Sequence, residues 1–141
     1  CQHFSRDVVW RPEYVNHPLG VTGIAGMAII SGDVPGTAGR YAALFDVLPQ
    51  SIAEGLRVDT GSAPDATCIA IAGARRLGAR LKDVNLPARQ SPLIAALFLR
   101  VADRAVAAQA LRRGGFSPQL LADGAWAIGA SEANGVALVF G

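Results

Sequence analysis

Side chains that could hold a metal, attack a substrate or carry a proton are scarce in this 141-residue chain. There are two histidines, two cysteines, and 11 carboxylates against 13 basic residues. Cys1, His3 and His17 offer two or three donors without the spacing of a metal site; the plainer reading is a strand end followed by a loop histidine. His17 precedes Pro18 and Gly20, which suits either a general base or a loop at a domain junction. Cys68 lies in the apolar stretch Ala66 to Ala72 and reads as a small buried hydrophobe. Two free thiols fit a reducing compartment, so a cytoplasmic location is expected. Arg75, Arg76 and Arg80 lack interleaved aromatics and read as the solvated outer side of a helix, not a nucleic-acid patch. No Ser/His/Asp set, P-loop or dinucleotide fingerprint is present. The glycines of GVTGIAG fall inside a strand, not at a strand-to-helix turn.

Composition narrows the classes. With 51% hydrophobic and 17% charged residues, the chain is neither disordered nor fibrous. Its length suits one compact domain that needs no disulfide or zinc to fold. A net charge of +2 is too small to imply a polyanion, so no nucleic-acid partner is expected. No apolar run approaches the roughly 18 residues of a membrane span, so no membrane association is expected either. A chain opening on cysteine would suit an acylated lipoprotein, but Cys1-Gln2-His3-Phe4 runs on to Trp10 and Tyr14 without a polar tether. Residue 1 therefore reads as an internal position of a longer polypeptide.

The elements that would position any site emerge from an internal repeat. A shift of 70 residues lays Ile24 to Phe45 on Ile94 to Gly115, matching Ile24 with Ile94, Ala25 with Ala95, Asp33 with Asp103 and Ala38 with Ala108. Each stretch opens with an apolar run of strand length and then meets an Asp suited to cap a helix. In the first copy Pro35 follows the Asp, and Ala38, Tyr41, Ala42 and Phe45 form the apolar stripe, weakened by Gly36 and Gly39. In the second, Val106, Ala107, Ala110 and Leu111 recur at helical spacing until Gly114-Gly115. Strands follow each helix: Phe116 to Leu121, Ala125 to Ala130 and Val136 to Phe140, separated by Asp123-Gly124 and Asn134-Gly135 turns. The first copy gives Gly55 to Asp59 and Ala66 to Ala72, with a third strand near Leu48 to Ile52. An extra helix spans Ala74 to Leu81, and a Pro-marked link, Leu86 to Pro92, joins the copies.

Paired βαβββ units with an Asp at each strand-to-helix junction resemble the vicinal oxygen chelate superfamily, which includes glyoxalase I, extradiol dioxygenases and bleomycin-binding proteins. More narrowly, VWRPEYVNHPLGVTGIAGMAI resembles the middle of bacterial glyoxalase-like domain proteins about twice this length, and LIAALFLRVADRAVAAQALRRGGF with GVALVFG resembles their close. The resemblance implies an α+β fold, in which two tandem βαβββ modules form a curled, mixed eight-stranded sheet with helices on its outer face. Residues 1–19 would be a linker or the end of a preceding domain. Residues 20–141 would be the glyoxalase-like domain, with module one at about 20–85 and module two at about 91–141.

In metal-dependent members of the superfamily, four His, Glu or Gln ligands line the floor of a cup, one from the first and one from the last strand of each module. The first-strand position, seven residues before the junction Asp, is here Gly26 and Ala96; the last-strand positions fall at Ala70 and Val139. None of these side chains can coordinate a divalent ion, so neither metal nor other cofactor is expected. Strand alternation adds Ala28, Ile30, Phe98, Arg100 and Ala137 to the pocket and turns Met27, Ile29, Leu97, Leu99, Val101, Leu138 and Phe140 towards the helices. Trp126 is placed in the cup wall, as core filler or, alternatively, as a stacking platform for a flat ligand. Arg100 would grip a carboxylate or phosphate, or else reach solvent past Asp103 or Asp123. The expected function is a metal-free glyoxalase-like domain that forms a small-molecule pocket or serves as structural partner to a preceding catalytic domain. The alternatives are a stand-alone binding or resistance protein, acting as a homodimer, and a metal-dependent lyase, isomerase or dioxygenase-type enzyme with ligands drawn from other positions.

Overall fold

The structure, a computed structural model, describes residues 11, 16–63, 66–82, 84–87 and 92–141. The expectations for Cys1, His3 and most of the segment up to residue 15 lie outside the described residues. Module one contains β1 (Val21–Ile30), α1 (Val34–Phe45), β2 (Gln50–Ile52), β3 (Gly55–Asp59) and β4 (Cys68–Ala72), and is followed by α2 (Ala74–Arg80). Module two contains β5 (Leu93–Val101), α3 (Arg104–Arg113), β6 (Gln119–Leu120), β7 (Trp126–Ile128) and β8 (Ala137–Phe140). All eight strands join one mixed sheet in the order β2-β3-β4-β1-β5-β8-β7-β6. The paired modules expected from the repeat are present, with shorter strands at the module-two edge than the sequence suggests.

The register carries the repeat into three dimensions. β1 and β5 run antiparallel at the centre, Met27 opposite Leu97 and Ala28 opposite Ala96. Each is flanked by the last strand of its own module in parallel, β4 beside β1 and β8 beside β5. Ala28 pairs with Ala70 in one module as Phe98 pairs with Val139 in the other.

The junction residues behave as helix caps. Asp103 accepts from the backbone N–H groups of Ala105 and Val106 at 2.7 and 3.0 Å, and Asp33 accepts from Gly36 at 2.9 Å. Gly36 is more than a weak helix former. A Cβ there would press on the Asp33 carboxylate, the free end of a flexible side chain, which would have to shift; Asp103 caps over Val106 at the matching position of module two. Asn134 and Gly135 both adopt positive φ, as does Gly124, where the two sequence-marked turns require it.

Alternation divides the sheet into two faces. On the helix side, Ile29, Ile69 and Ile71 pack with Ala38 and Ala42 of α1, and Leu99, Leu138 and Phe140 pack with Leu111 of α3. On the opposite, cup side, Ala28, Ala70, Ala96, Ala137 and Val139 form a third cluster with Leu77, Leu81 and Val84. The last three residues come from α2 and the segment after it. Among the described residues, no helix is long and apolar enough to cross a membrane.

Candidate functional site

The four positions at which the superfamily's ligands would stand share the cup side of the central strands. Gly26 lies opposite both Cys68 and Phe98, and Ala28, beside it, lies opposite Ala70 and Ala96. Val139 sits one strand further, beside Phe98. These side chains offer only hydrogen and carbon, and no divalent ion fits them. At Gly26 the exclusion is also steric: a Cβ would run into the Cys68 carbonyl oxygen and lie 3.1 Å from Cys68 Sγ. Among the described residues, no three His, Cys, Asp or Glu side chains gather closely enough to hold a metal ion.

The cup is filled from within. Leu77 and Leu81, four apart on one face of α2, are each 1% exposed, and Val84 and Leu86 continue the same apolar cover. Alanines on the floor let these leucines settle close to the sheet, each burial contributing roughly 1.5–3 kcal/mol. The segment after α2 then reaches module two. Asn85 accepts from the Ala130 N–H through its backbone oxygen at 2.7 Å and from the Ser131 N–H through Oδ1 at 3.2 Å. At Gly129 a Cβ would lie 2.8 Å from the Asn85 Cβ, so this contact also needs glycine. Gly26, Ala28, Ile30, Ala70, Ala96 and Ala137 are thus a packed floor, most of them almost wholly buried, rather than the lining of an open pocket.

What remains of the hollow is a depression of about 200 Å³ on the module-two side, lined by Arg80, Leu81, Phe98, Leu121, Asp123 and Val139. Arg80 does not join Arg75 and Arg76 on the outer side of α2. Its guanidinium lies 5.3 Å from the Phe98 ring centroid and its Nε is 3.5 Å from Glu54 Oε1. Position 80 is three residues past Leu77, so the helix brings it to the rim of the cup, where it stays exposed.

Arg100 occupies the other end of the cup. Its Nη1 donates to the Ile24 carbonyl oxygen at 2.8 Å and its Nη2 to that of Ala66 at 3.4 Å. It therefore braces the β1 backbone near Gly23 instead of reaching past Asp103 or Asp123. Further along this end, Arg57 donates from Nε to Asp59 at 2.7 Å, and this hydrogen bond raises the arginine's pKa above its ordinary value. Gln50 donates to the same carboxylate at 3.3 Å.

Trp126 requires a correction. It faces away from the cup, packing with Leu111, Ile128 and Phe140, and the Arg112 guanidinium covers its ring at 4.5 Å. Register explains why. Ala127 pairs with cup-facing Val139, so its neighbour Trp126 pairs with Phe140 on the other face. His17 stays outside the cup as well: exposed in a turn, its Nδ1 accepts from the Leu19 N–H at 3.2 Å. Cys68 is a free thiol, half-buried at the edge of the floor.

The sequence predicts the helix from Ala74, but not its place over the cup. Its arginines drew notice, while Leu77, Leu81 and Val84, spaced four and three apart, carried the signal of a buried face.

No protein-family model matches the chain, and no curated protein does so either. Solved structures do. Methylmalonyl-CoA epimerase from Mycobacterium tuberculosis superposes with a TM-score of 0.57 at 18% identity, over 86% of this chain and 87% of that one. A substituted Streptomyces coelicolor methylmalonyl-CoA epimerase in complex with 2-nitronate-propionyl-CoA gives 0.58 at 16% identity, over 85% and 96%. A methylmalonyl-CoA epimerase in complex with methylmalonyl-CoA and ammonium gives 0.55 at 16%, over 85% and 93%. Identities this low speak to architecture and not to activity. The epimerases belong to the vicinal oxygen chelate superfamily, and the fold of this chain is the paired-module fold of that superfamily.

Proposed function

We propose that this chain is a metal-free glyoxalase-like domain that acts as structural partner to a preceding catalytic domain, residues 1–19 forming the connection. The observation that carries this reading is the cup itself: Gly26, Ala70, Ala96 and Val139 bring no donor atom to its floor, Cys68 at the edge is a single thiol, and the chain's own α2 covers the hollow. A domain built this way keeps the rigidity of the two-module sheet and forgoes the Lewis acid that polarises a substrate oxygen in metal-dependent relatives. The free thiol of Cys68 is compatible with a cytoplasmic setting.

A second reading, a binder of small molecules, is favoured by the depression beside Phe98. Arg80 and Asp123 present charge there above an apolar base. Its volume of about 200 Å³ suits a ligand of few atoms, well below the size of the CoA esters held by the epimerases.

Equilibrium dialysis of the purified chain against zinc, nickel, cobalt and ferrous ions, followed by elemental analysis, tests the main reading. It should leave no stoichiometric metal on the protein. One tightly held equivalent would replace it with a metal-dependent lyase or isomerase.

A further inference from the structure

The sheet carries a larger cleft on its other face, between α1 and the start of β5, with a volume of about 530 Å³. We propose that this cleft binds an amphipathic monoanion: a carboxylate borne on a short unbranched alkyl chain. Its walls are Ile29, Leu44, Leu93 and Ile94. Leu44 is 72% exposed and Ile94 is 42% exposed, so two large apolar side chains of this cleft lie in water. Burying them under an alkyl chain recovers about 25 cal/mol per Å² of apolar area.

The rim selects the head group. The side chains of Arg40 and Tyr41 of α1 stand at the cleft, and among the described residues neither side chain has a hydrogen bond or ion pair. Positions 36, 37, 43 and 44, its neighbours on the helix, are Gly, Thr, Ala and Leu, so no carboxylate on α1 lies within reach to neutralise Arg40. Several other guanidinium groups are engaged, Arg57 with Asp59, Arg80 with Glu54, and Arg104 with the Asp123 carbonyl oxygen, whereas Arg40 stands at an apolar cleft. A planar cation and a phenol above an apolar wall match a carboxylate with a hydrocarbon tail, because the head accepts charge-assisted hydrogen bonds while the tail covers the leucines and isoleucines. The volume falls within the ordinary range of small-ligand sites. Ile29 places this site on the helix face of the sheet, and Leu93, which packs against the cup-side cluster, closes its edge.

Titration of the full chain with sodium decanoate, 1-decanol and decyltrimethylammonium, followed by calorimetry and amide chemical shifts, tests the assignment. Decanoate should shift amides of residues 37–44 and 92–94 and bind about tenfold more tightly than decanol, with the ammonium weakest. Arg40→Gln, a surface change that should keep the melting temperature, should remove the tenfold preference and leave decanol binding intact. Leu44→Glu should weaken both. Equal affinities for decanoate and decanol, shifts confined to the Phe98 depression, or a preference that survives Arg40→Gln would each overturn the proposal. So would a Leu44→Glu variant that changes only the sedimentation coefficient, since the cleft would then be a surface for a second copy of the chain.

Discussion

Module one and module two share the β-α-β-β-β order and nearly the same register, yet they differ in what each contributes to the cup. Module one continues past β4 into α2 and a segment that crosses the hollow and is fastened to module two through Asn85. Module two has β8 as its last strand and adds only floor, Ala96, Ala137 and Val139. The same asymmetry marks the equivalent first-strand positions. Module two accepts an alanine at position 96, whereas Gly26 has no room for one carbon beyond its Cα. A duplicated fold can thus keep its hydrogen-bond pattern while one half occupies the space that both halves enclose.

The strongest way to break this comparison is to remove the cover. Leu77→Ala should destabilise the domain by about 2–5 kcal/mol in urea denaturation, because the leucine is fully buried and the alanine floor cannot collapse to fill the space. An effect below about 0.5 kcal/mol, the range of exposed side chains, would mean that α2 does not close the cup in solution.

A second substitution sharpens the contrast between the modules. Gly26→Ala should cost about 1–3 kcal/mol, since the added methyl group forces β1 away from the Cys68 carbonyl. The reverse change at the equivalent position, Ala96→Gly, should cost only about 1 kcal/mol through backbone entropy and lost packing. Equal midpoints for the two variants would remove the steric argument against a ligand in module one.

The smallest effect is expected at the caps. Replacing Gly36 by Ala should leave stability within about 0.5 kcal/mol of the starting protein, because improved helix propensity is offset by displacement of Asp33. By contrast, Asp103→Ala in module two should cost about 1 kcal/mol, since two backbone N–H groups lose their acceptor. A clear gain in melting temperature for Gly36→Ala would show that the Asp33 carboxylate shifts to admit the methyl group at no cost to its cap.

Much of the fold is legible in local chemistry. Asp33 and Asp103 announce the helix starts, Asp123-Gly124 and Asn134-Gly135 announce the hairpins, and the 70-residue shift announces the duplication. The edge strands are less legible. Phe116 to Leu121 carries an apolar pattern, but only Gln119–Leu120 pairs, and Pro118 just ahead of them has no N–H to donate to a sheet ladder. Trp126 illustrates a different limit. A two-residue period assigns faces only once one residue of the strand has been anchored to a partner, and the pairing of Ala127 with Val139 supplies that anchor.

By itself the sequence determined the duplicated βαβββ order, the cap and turn positions, and the lack of donor side chains at Gly26, Ala70, Ala96 and Val139, because each follows from residue type and short-range spacing. Only the tertiary structure decided that α2 lies in the cup, that Arg80 lies over Phe98 at the cup rim while Trp126 turns to the other face, and that the Arg40 side chain stands unpaired among the described residues over an apolar cleft. These depend on contacts between residues distant in the chain, and a short amphipathic helix with one apolar face can satisfy it against either side of a sheet until the space left by its neighbours selects one.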